Sequence, residues 1–409
     1  MRKHSFRKFL VDFSLFLLLG CSASWFVAHA AERNTYHSAT KLTDATASQD
    51  KCFTETFAEI RKWIDQKAFP GAVLAVGQHG KLVALKAFGK LDVAPGAPPM
   101  PVNAIFDLAS LSKVTGTTTA AEILVDRKLL DLDAPVEKYL PEFSGTPGHD
   151  KILIRNLLTH SSGLVWHEPF WRQAADRAGI MKLCYTMPVG WEPGSRFQNS
   201  DYNMILLGEI VYRISGLQLD QFLAKNAFQP LGMNDTFYNP PSALLDRIPP
   251  TEQDNILRHR LVRGVVHDEN AYLMGGVSGN AGLFSTASDL ARIAQMYLNG
   301  GAYDGKRIVS QSTLAQFMKR QMIPQNSSRA LGWDTPEGET ALNFAGPLAS
   351  PQAIEHTGFT GTSIYIDPER DAFIILLTNR VNPTRENDLI SEARPAIHTA
   401  ILATLDRKQ

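Results

Sequence analysis

FDLASLSKVTGTTTAAEIL, residues 106–124, is the stretch whose reading decides this chain. An apolar approach, Ala104-Ile105-Phe106, gives way to Asp107, a residue suited to capping, and then to a run with helical spacing. Ser110 and Lys113 stand three apart on one helix face, with about 5–6 Å between Cβ atoms, so the amine can reach the hydroxyl. A serine at a helix start also meets exposed N–H groups and the positive end of the helix dipole, which favour a developing oxyanion. A hydroxyl beside a base in that setting is a workable nucleophile.

The spacing alone proves little, because Ser-x-x-Lys occurs four times: Ser5–Lys8, Ser38–Lys41, Ser48–Lys51 and Ser110–Lys113. The first three fall in an N-terminal leader or a polar stretch where no packed site is expected. Only Ser110–Lys113 opens a helix-like run. The competing reading is a capping serine beside a solvated lysine.

Outward from this stretch, both ends of the chain read as strands with a helix. Phe53, Phe57, Ile60 and Trp63 recur at three and four before Phe69-Pro70-Gly71 stops the pattern. GAVLAVGQHGKLVALKAFG (71–89) follows, two apolar runs about Gln78-His79-Gly80, a hairpin signature. Near the other end, TSIYID (362–367) and AFIILLTN (372–379) flank a turn, and residues 395–405 read as a closing helix. The middle carries helical patterns broken by Pro and Gly. The expectation is an α+β fold: an antiparallel sheet from 52–113 and 261–409, flanked by helices, with a mainly helical insert over 114–260.

Lys plus Arg equals Asp plus Glu at 41 each, with 44% hydrophobic and 20% charged residues. Disorder is excluded, and no basic excess exists to hold nucleic acid. Arg2, Lys3, Arg7 and Lys8 precede an apolar run ending in Ala28-His29-Ala30, the pattern of a cleaved signal peptide over 1–30. A membrane anchor and lipidation at Cys21, in Leu18-Leu19-Gly20-Cys21, are the alternatives. Cleavage leaves 37 basic and 40 acidic residues and no membrane span. Residues 31–51 read as a flexible lead-in. Export makes a Cys52–Cys184 disulfide possible; two free thiols are equally compatible with the sequence.

Beyond the nucleophile, KILIRNLLTHSSGL (151–164), PGSRFQNSDYNMILLGEIVYRISG (193–216), NAYLMGGVSGNAGLFSTASDLARI (270–293) and EHTGFTGTSIYIDP (355–368) follow in order. Taken together these segments resemble the serine β-lactamase and penicillin-binding-protein superfamily, in its class C-like branch with esterases and D-amino-acid peptidases. The resemblance runs from about residue 55 to 405. It implies a β-lactamase/transpeptidase-like fold, no cofactor and no metal. It also implies an exported serine hydrolase acting on peptidoglycan-derived D-amino-acid peptides, β-lactams or small esters. Ser110 matches the nucleophile and Lys113 its activating partner. His356-Thr357-Gly358 falls where the family has Lys-Thr-Gly or a variant, and the N–H groups of Ser110 and Phe359 would form the oxyanion hole.

One position departs. Counting back from Gly208, Asn199-Ser200-Asp201 stands where the family has Tyr-x-Asn, so the proton-shuttling phenol is missing. An amide cannot act as a general base. Tyr202 is the nearest substitute, if the loop is shifted. Otherwise Lys113 is the main remaining base, which calls for burial and a neighbouring cation. His356 in place of a lysine predicts carboxylate binding that strengthens on acidification. A weakly turning-over sensor and a structural cell-wall protein remain as alternative readings.

Other candidates have plainer readings. His160 is expected to hold a turn, and His267-Asp268-Glu269 to anchor a loop. His167-Glu168 does not begin a His-Glu-x-x-His zinc site, because Trp171 occupies the second histidine position. Trp166, Phe170 and Trp171 line a cleft or a core. Gly275 to Gly282 reads as close backbone packing.

Overall fold

A computed structural model describes residues 40–165 and 169–407. The leader with Cys21, and the segment holding Trp166, His167 and Glu168, lie outside the described residues. The main sheet has six strands: β1 (Thr43–Asp44), β2 (Gly71–Gln78), β3 (Lys81–Gly89), β4 (Ile354–Thr357), β5 (Ser363–Asp367) and β6 (Ala372–Thr378). Their order is β1-β3-β2-β6-β5-β4, so strands from the two ends of the chain meet at β2 and β6. All pairings are antiparallel except that of β1 with β3. The β2–β3 turn is made by His79 and Gly80, both with positive φ, the backbone that a two-residue hairpin needs.

Alternation along the central strands divides the core in two. Val73 and Ala75 of β2, with Phe373, Ile375 and Leu377 of β6, face one cluster. Ala72, Leu74 and Val76, with Ile374 and Leu376, face the other. Both strands are buried along their whole length, which is why they read as continuous apolar runs.

Helices cover the two faces. Phe57, Ile60 and Trp63 of α1 (Thr54–Asp65) and Ile397, Ile401 and Leu402 of the closing helix belong to the second cluster. Beyond the sheet's first strands, a short helical turn at 111–112 runs through a π-turn, Lys113–Thr118, into α2 (Thr119–Asp126). Then follow α3 (Asp201–Ser215), α4 (Glu269–Leu273) and α5 (Ala287–Leu298), and α6 (Ile390–Asp406) closes the chain. The closing helix starts five residues before the expected Pro395, which sits inside it and supplies no N–H.

The cluster on the α5 face runs without a break from Val73 of the sheet into Leu206, Leu207 and Ile210 of α3. Sheet and helical segment therefore share one core, and every described residue belongs to one compact unit. Gly279 lies where a Cβ would stand 1.8 Å from Met204 O, and Gly208 faces Gly279 in turn. Close backbone packing thus accounts for this part of the glycine-rich segment.

One expectation is corrected, and one alternative is narrowed. Residues 40–51 are not a flexible lead-in: β1 accepts a place at the sheet edge, with Thr43 N–H donating to Gly80 O and Ala45 N–H to Leu82 O. A polar, non-periodic stretch hid this because an edge strand is held by backbone hydrogen bonds rather than by apolar side chains. Cys52 and Cys184, whose pairing the sequence left open, are not joined to each other by a disulfide in this structure. Among the described residues no helix is long and apolar enough to cross a membrane.

Candidate active site

Asp107 builds the nucleophile turn. Its Oδ1 accepts the Ala109 N–H at 2.8 Å and its Oδ2 the His267 N–H at 2.7 Å, which ties the turn to the opposite wall. Ala109 takes a positive φ of 47°, costly for a residue with a Cβ, immediately before Ser110. From the other side, Thr360 Oγ1 donates to Asp107 O and Thr362 Oγ1 to Leu108 O. Gly358 is required between them, since a Cβ there would lie 2.4 Å from Leu108 O.

Ser110 Oγ then stands 2.5 Å from Lys113 Nζ, and Lys113 is 1% exposed. The same nitrogen lies 2.6 Å from Asp201 Oδ1. Lys113 belongs to the π-turn, a local widening that often marks functional positions in helices. Among the described residues, the N–H groups of Ser110 and Phe359 have no hydrogen-bond acceptor.

Ser110, Asn199 and Phe359 stand where two lobes of a cleft meet. One lobe, about 360 Å³, is lined by Lys113, Asp201, Tyr202, Asp268, Glu269 and Arg385 among others. The second, about 320 Å³, is lined by His356, Thr357 and Gly358, with Arg329, Arg380 and Arg394. All the site residues expected from the sequence therefore gather around one cleft. Asn199 is exposed between the lobes.

A family model described as beta-lactamase matches residues 52–397. The chain belongs to the beta-lactamase family. A Salmonella agona (strain SL483) relative named "Putative D-alanyl-D-alanine carboxypeptidase" is 31% identical over 373 residues, covering 83% of this chain and 86% of that one. Two solved structures share the fold at 21% identity. One is described as a class C beta-lactamase (TM-score 0.68; 87% of this chain, 98% of that one). The other is EstCE1, described as a hydrolase with promiscuous acyltransferase activity (TM-score 0.66; 85% of this chain, 100% of that one). At family level, then, this beta-lactamase-family protein has the fold and relatives of serine hydrolases.

The structure revises several details of the expected site. Lys113 has an anion, Asp201, in direct contact rather than the neighbouring cation that a lone lysine base would call for. Tyr202 is 3% exposed, its ring lies on Phe170 at 4.0 Å, and its hydroxyl accepts the Phe170 N–H at 3.3 Å and bonds Asn270. Burial pushes its phenol up to about 12, so it is committed to the wall of the cleft. His356 is buried, with Nδ1 2.8 Å from Thr357 O. Burial, and then the charges of Arg329 and Lys113, hold its imidazole well below the usual histidine range. It stays neutral where the sequence reading expected it to gain charge.

His160 does hold a turn: its Nδ1 accepts the Ser200 N–H at 3.2 Å and its carbonyl the Gln198 N–H, shaping the loop that presents Asn199 and Asp201. His267 and Asp268 lead into α4, whose first residue is Glu269, and all three residues line the cleft. Asp268 caps α4 by accepting the Ala271 N–H; burial, and then the charge of Asp201, push its carboxyl up to about 6. His267 bonds Glu252 at 2.8 Å and stacks on Phe359 at 5.6 Å. Burial opposes ionisation of Glu252, yet hydrogen bonds from His267 and Arg385 outweigh it and bring the carboxyl down to about 2. Phe170 and Trp171 divide as core and cleft wall respectively.

Sequence reasoning missed the arginines. Arg329 is 3% exposed, and the Nε atoms of Arg329 and Arg394 are buried without a hydrogen-bond partner. Burial, followed by the charge of Arg380, brings Arg394 down to about 9. No motif marks these residues, because they come from separate segments and converge only in the fold. Among the described residues no group of three or more His, Cys, Asp or Glu is arranged to hold a metal ion.

Proposed function

We propose that the protein is an exported serine hydrolase that works through a Ser110 acyl-enzyme on substrates ending in a carboxylate, such as peptidoglycan-derived D-amino-acid peptides. Small esters and β-lactams are further acyl donors. The observation that carries the reading is the 2.5 Å approach of Lys113 Nζ to Ser110 Oγ at the junction of two lobes. Ser110 attacks the carbonyl carbon, Lys113 takes the hydroxyl proton, and the Ser110 and Phe359 N–H groups hold the oxyanion. Water then releases the acyl group by the same route.

The cationic lobe supports the carboxylate assignment. Three arginines, Arg329, Arg380 and Arg394, line this lobe against one carboxylate, Asp388, and their net positive charge favours a bound carboxylate. The relatives named as carboxypeptidases agree with such a substrate. The basic n-region and Ala28-His29-Ala30 support export to the periplasm.

Asn199 in place of the family tyrosine favours a second reading, a penicillin-binding sensor that acylates without turning over. Incubation with a fluorescent penicillin and with p-nitrophenyl acetate, followed by intact mass beside Ser110→Ala, separates the two. Turnover that depends on Ser110 supports the hydrolase. A stable adduct on Ser110 supports the sensor, and an unmodified protein rejects both.

A further inference from the structure

The geometry points to Asp201 as the terminal proton acceptor of a Ser110–Lys113–Asp201 relay that takes the place of the tyrosine missing at position 199. The inference rests on the serine-hydrolase reading and deepens it. Three observations combine. Lys113 Nζ lies 2.5 Å from Ser110 Oγ and 2.6 Å from Asp201 Oδ1, so one nitrogen touches both a donor and an acceptor. The side chain of Asp201 is 40% exposed to the cleft, while Lys113 is 1% exposed and has no water route of its own. The position where a phenol would stand carries Asn199, whose amide can neither give nor take a proton at neutral pH.

The proton count closes. At rest the amine carries the proton and Asp201 is ionised. A proton of Nζ first passes to Asp201 Oδ1, which frees the amine lone pair, and as Ser110 Oγ forms its bond to the carbonyl carbon its proton passes to that lone pair. When the tetrahedral intermediate collapses, Nζ protonates the leaving nitrogen or oxygen as its bond to carbon breaks, and Asp201 returns its proton to Nζ. Deacylation repeats the sequence with water in place of the serine hydroxyl. Asp201 acts through Lys113 throughout, and is a positioning and relay residue.

Other charged groups surround the pair. Asp268, Glu269 and His267 face it from the segment entering α4, Arg385 from beyond β6, and Arg329, His160 and His356 from the other side. Asp268 shares the lobe with Asp201 and feels its charge. A pH dependence must therefore be assigned by substitution.

The test measures the rate of Ser110 acylation by p-nitrophenyl acetate from about pH 3 to 9 in the wild type, D201N, D201E, D268N and the double variant N199Y/D201N. Asparagine at 201 can still accept a hydrogen bond from Lys113, so a purely structural contact survives in D201N. The relay predicts a fall of about 10²–10⁴-fold in D201N, the loss of a general acid–base group, together with loss of the acidic limb of the profile. D201E and D268N retain that limb, and N199Y/D201N recovers at least tenfold over D201N by restoring a phenol. A D201N rate within threefold of wild type with its acidic limb intact overturns the relay. So does a limb that persists in D201N and vanishes in D268N. Absence of any Ser110 adduct in the wild type instead overturns the hydrolase reading beneath it.

Discussion

The carboxylate of Asp107 bridges the two walls of the cleft, accepting the Ala109 N–H with one oxygen and the His267 N–H, 160 positions away in sequence, with the other. Burial raises the carboxyl above its ordinary range, against the pull of these two donors. Truncation to alanine strands both N–H groups, at about 1–3 kcal/mol each, and releases the strained Ala109 turn. Asp107→Ala is expected to lower stability by about 2–5 kcal/mol in urea unfolding, and to slow Ser110 acylation at temperatures where the variant remains folded.

Asn199 is exposed at the junction of the lobes, so a larger ring fits there without displacing core atoms. Asn199→Tyr supplies the absent phenol beside Ser110. Turnover of p-nitrophenyl acetate is expected to rise at least tenfold, with little change in melting temperature. Equal turnover in the two proteins would show that position 199 does not limit turnover.

Carboxylate recognition is assigned to permanent cations rather than to His356, which burial keeps neutral. Arg329→Gln should raise KM for a peptide ending in a carboxylate by about 10–100-fold, the worth of one charged hydrogen bond, while leaving KM for p-nitrophenyl acetate unchanged. The wild-type KM for the peptide should not fall between pH 8 and pH 5. Tighter binding in acid would return the role to His356.

Glu355, next to His356 on β4, is fully buried with both carboxyl oxygens unpartnered, and burial, then Asp334, pushes it up to about 8. The folded state thus holds a proton that the unfolded chain releases above about 4.5. Stability falls as pH rises from about 4.5 to 8 and levels off beyond. Glu355→Gln lacks this slope. Its melting temperature should match wild type near pH 4.5 and exceed it at pH 8.5, where the difference is about 5 kcal/mol.

Gly279→Ala places a methyl 1.8 Å from Met204 O, which is backbone inside α3 and cannot yield as a flexible side chain would. Overpacking of this kind costs about 1–3 kcal/mol. Denaturant unfolding should show that loss, which is one of packing alone because Gly279 does not take a positive φ.

Much of the scaffold was legible because it depends on local periodicity. The apolar runs within 71–89 and 372–379 announced the strands and Gln78-His79-Gly80 the hairpin turn, whereas which side chains face which core appeared only in the fold. The nucleophile was legible because three residues on a helix bring Ser110 and Lys113 together whatever surrounds them. The edge strand Thr43–Asp44 was not, since the strand it pairs with lies some forty residues on.

The electrostatic character of the cleft lay beyond the sequence altogether. Asp201 was visible as a lining residue, but whether Lys113 would face a cation or a carboxylate depends on where α3 begins relative to the π-turn. Arg329, Arg380 and Arg394 occupy unrelated segments and share a lobe only after the sheet closes with β6 and α6. The residues of 106–124 by themselves determined that a serine and a lysine would meet at a helix start, because their spacing is a property of one helix. The tertiary structure alone decided which charges surround that pair, because Coulombic fields act across space between segments whose separation along the chain carries no signal.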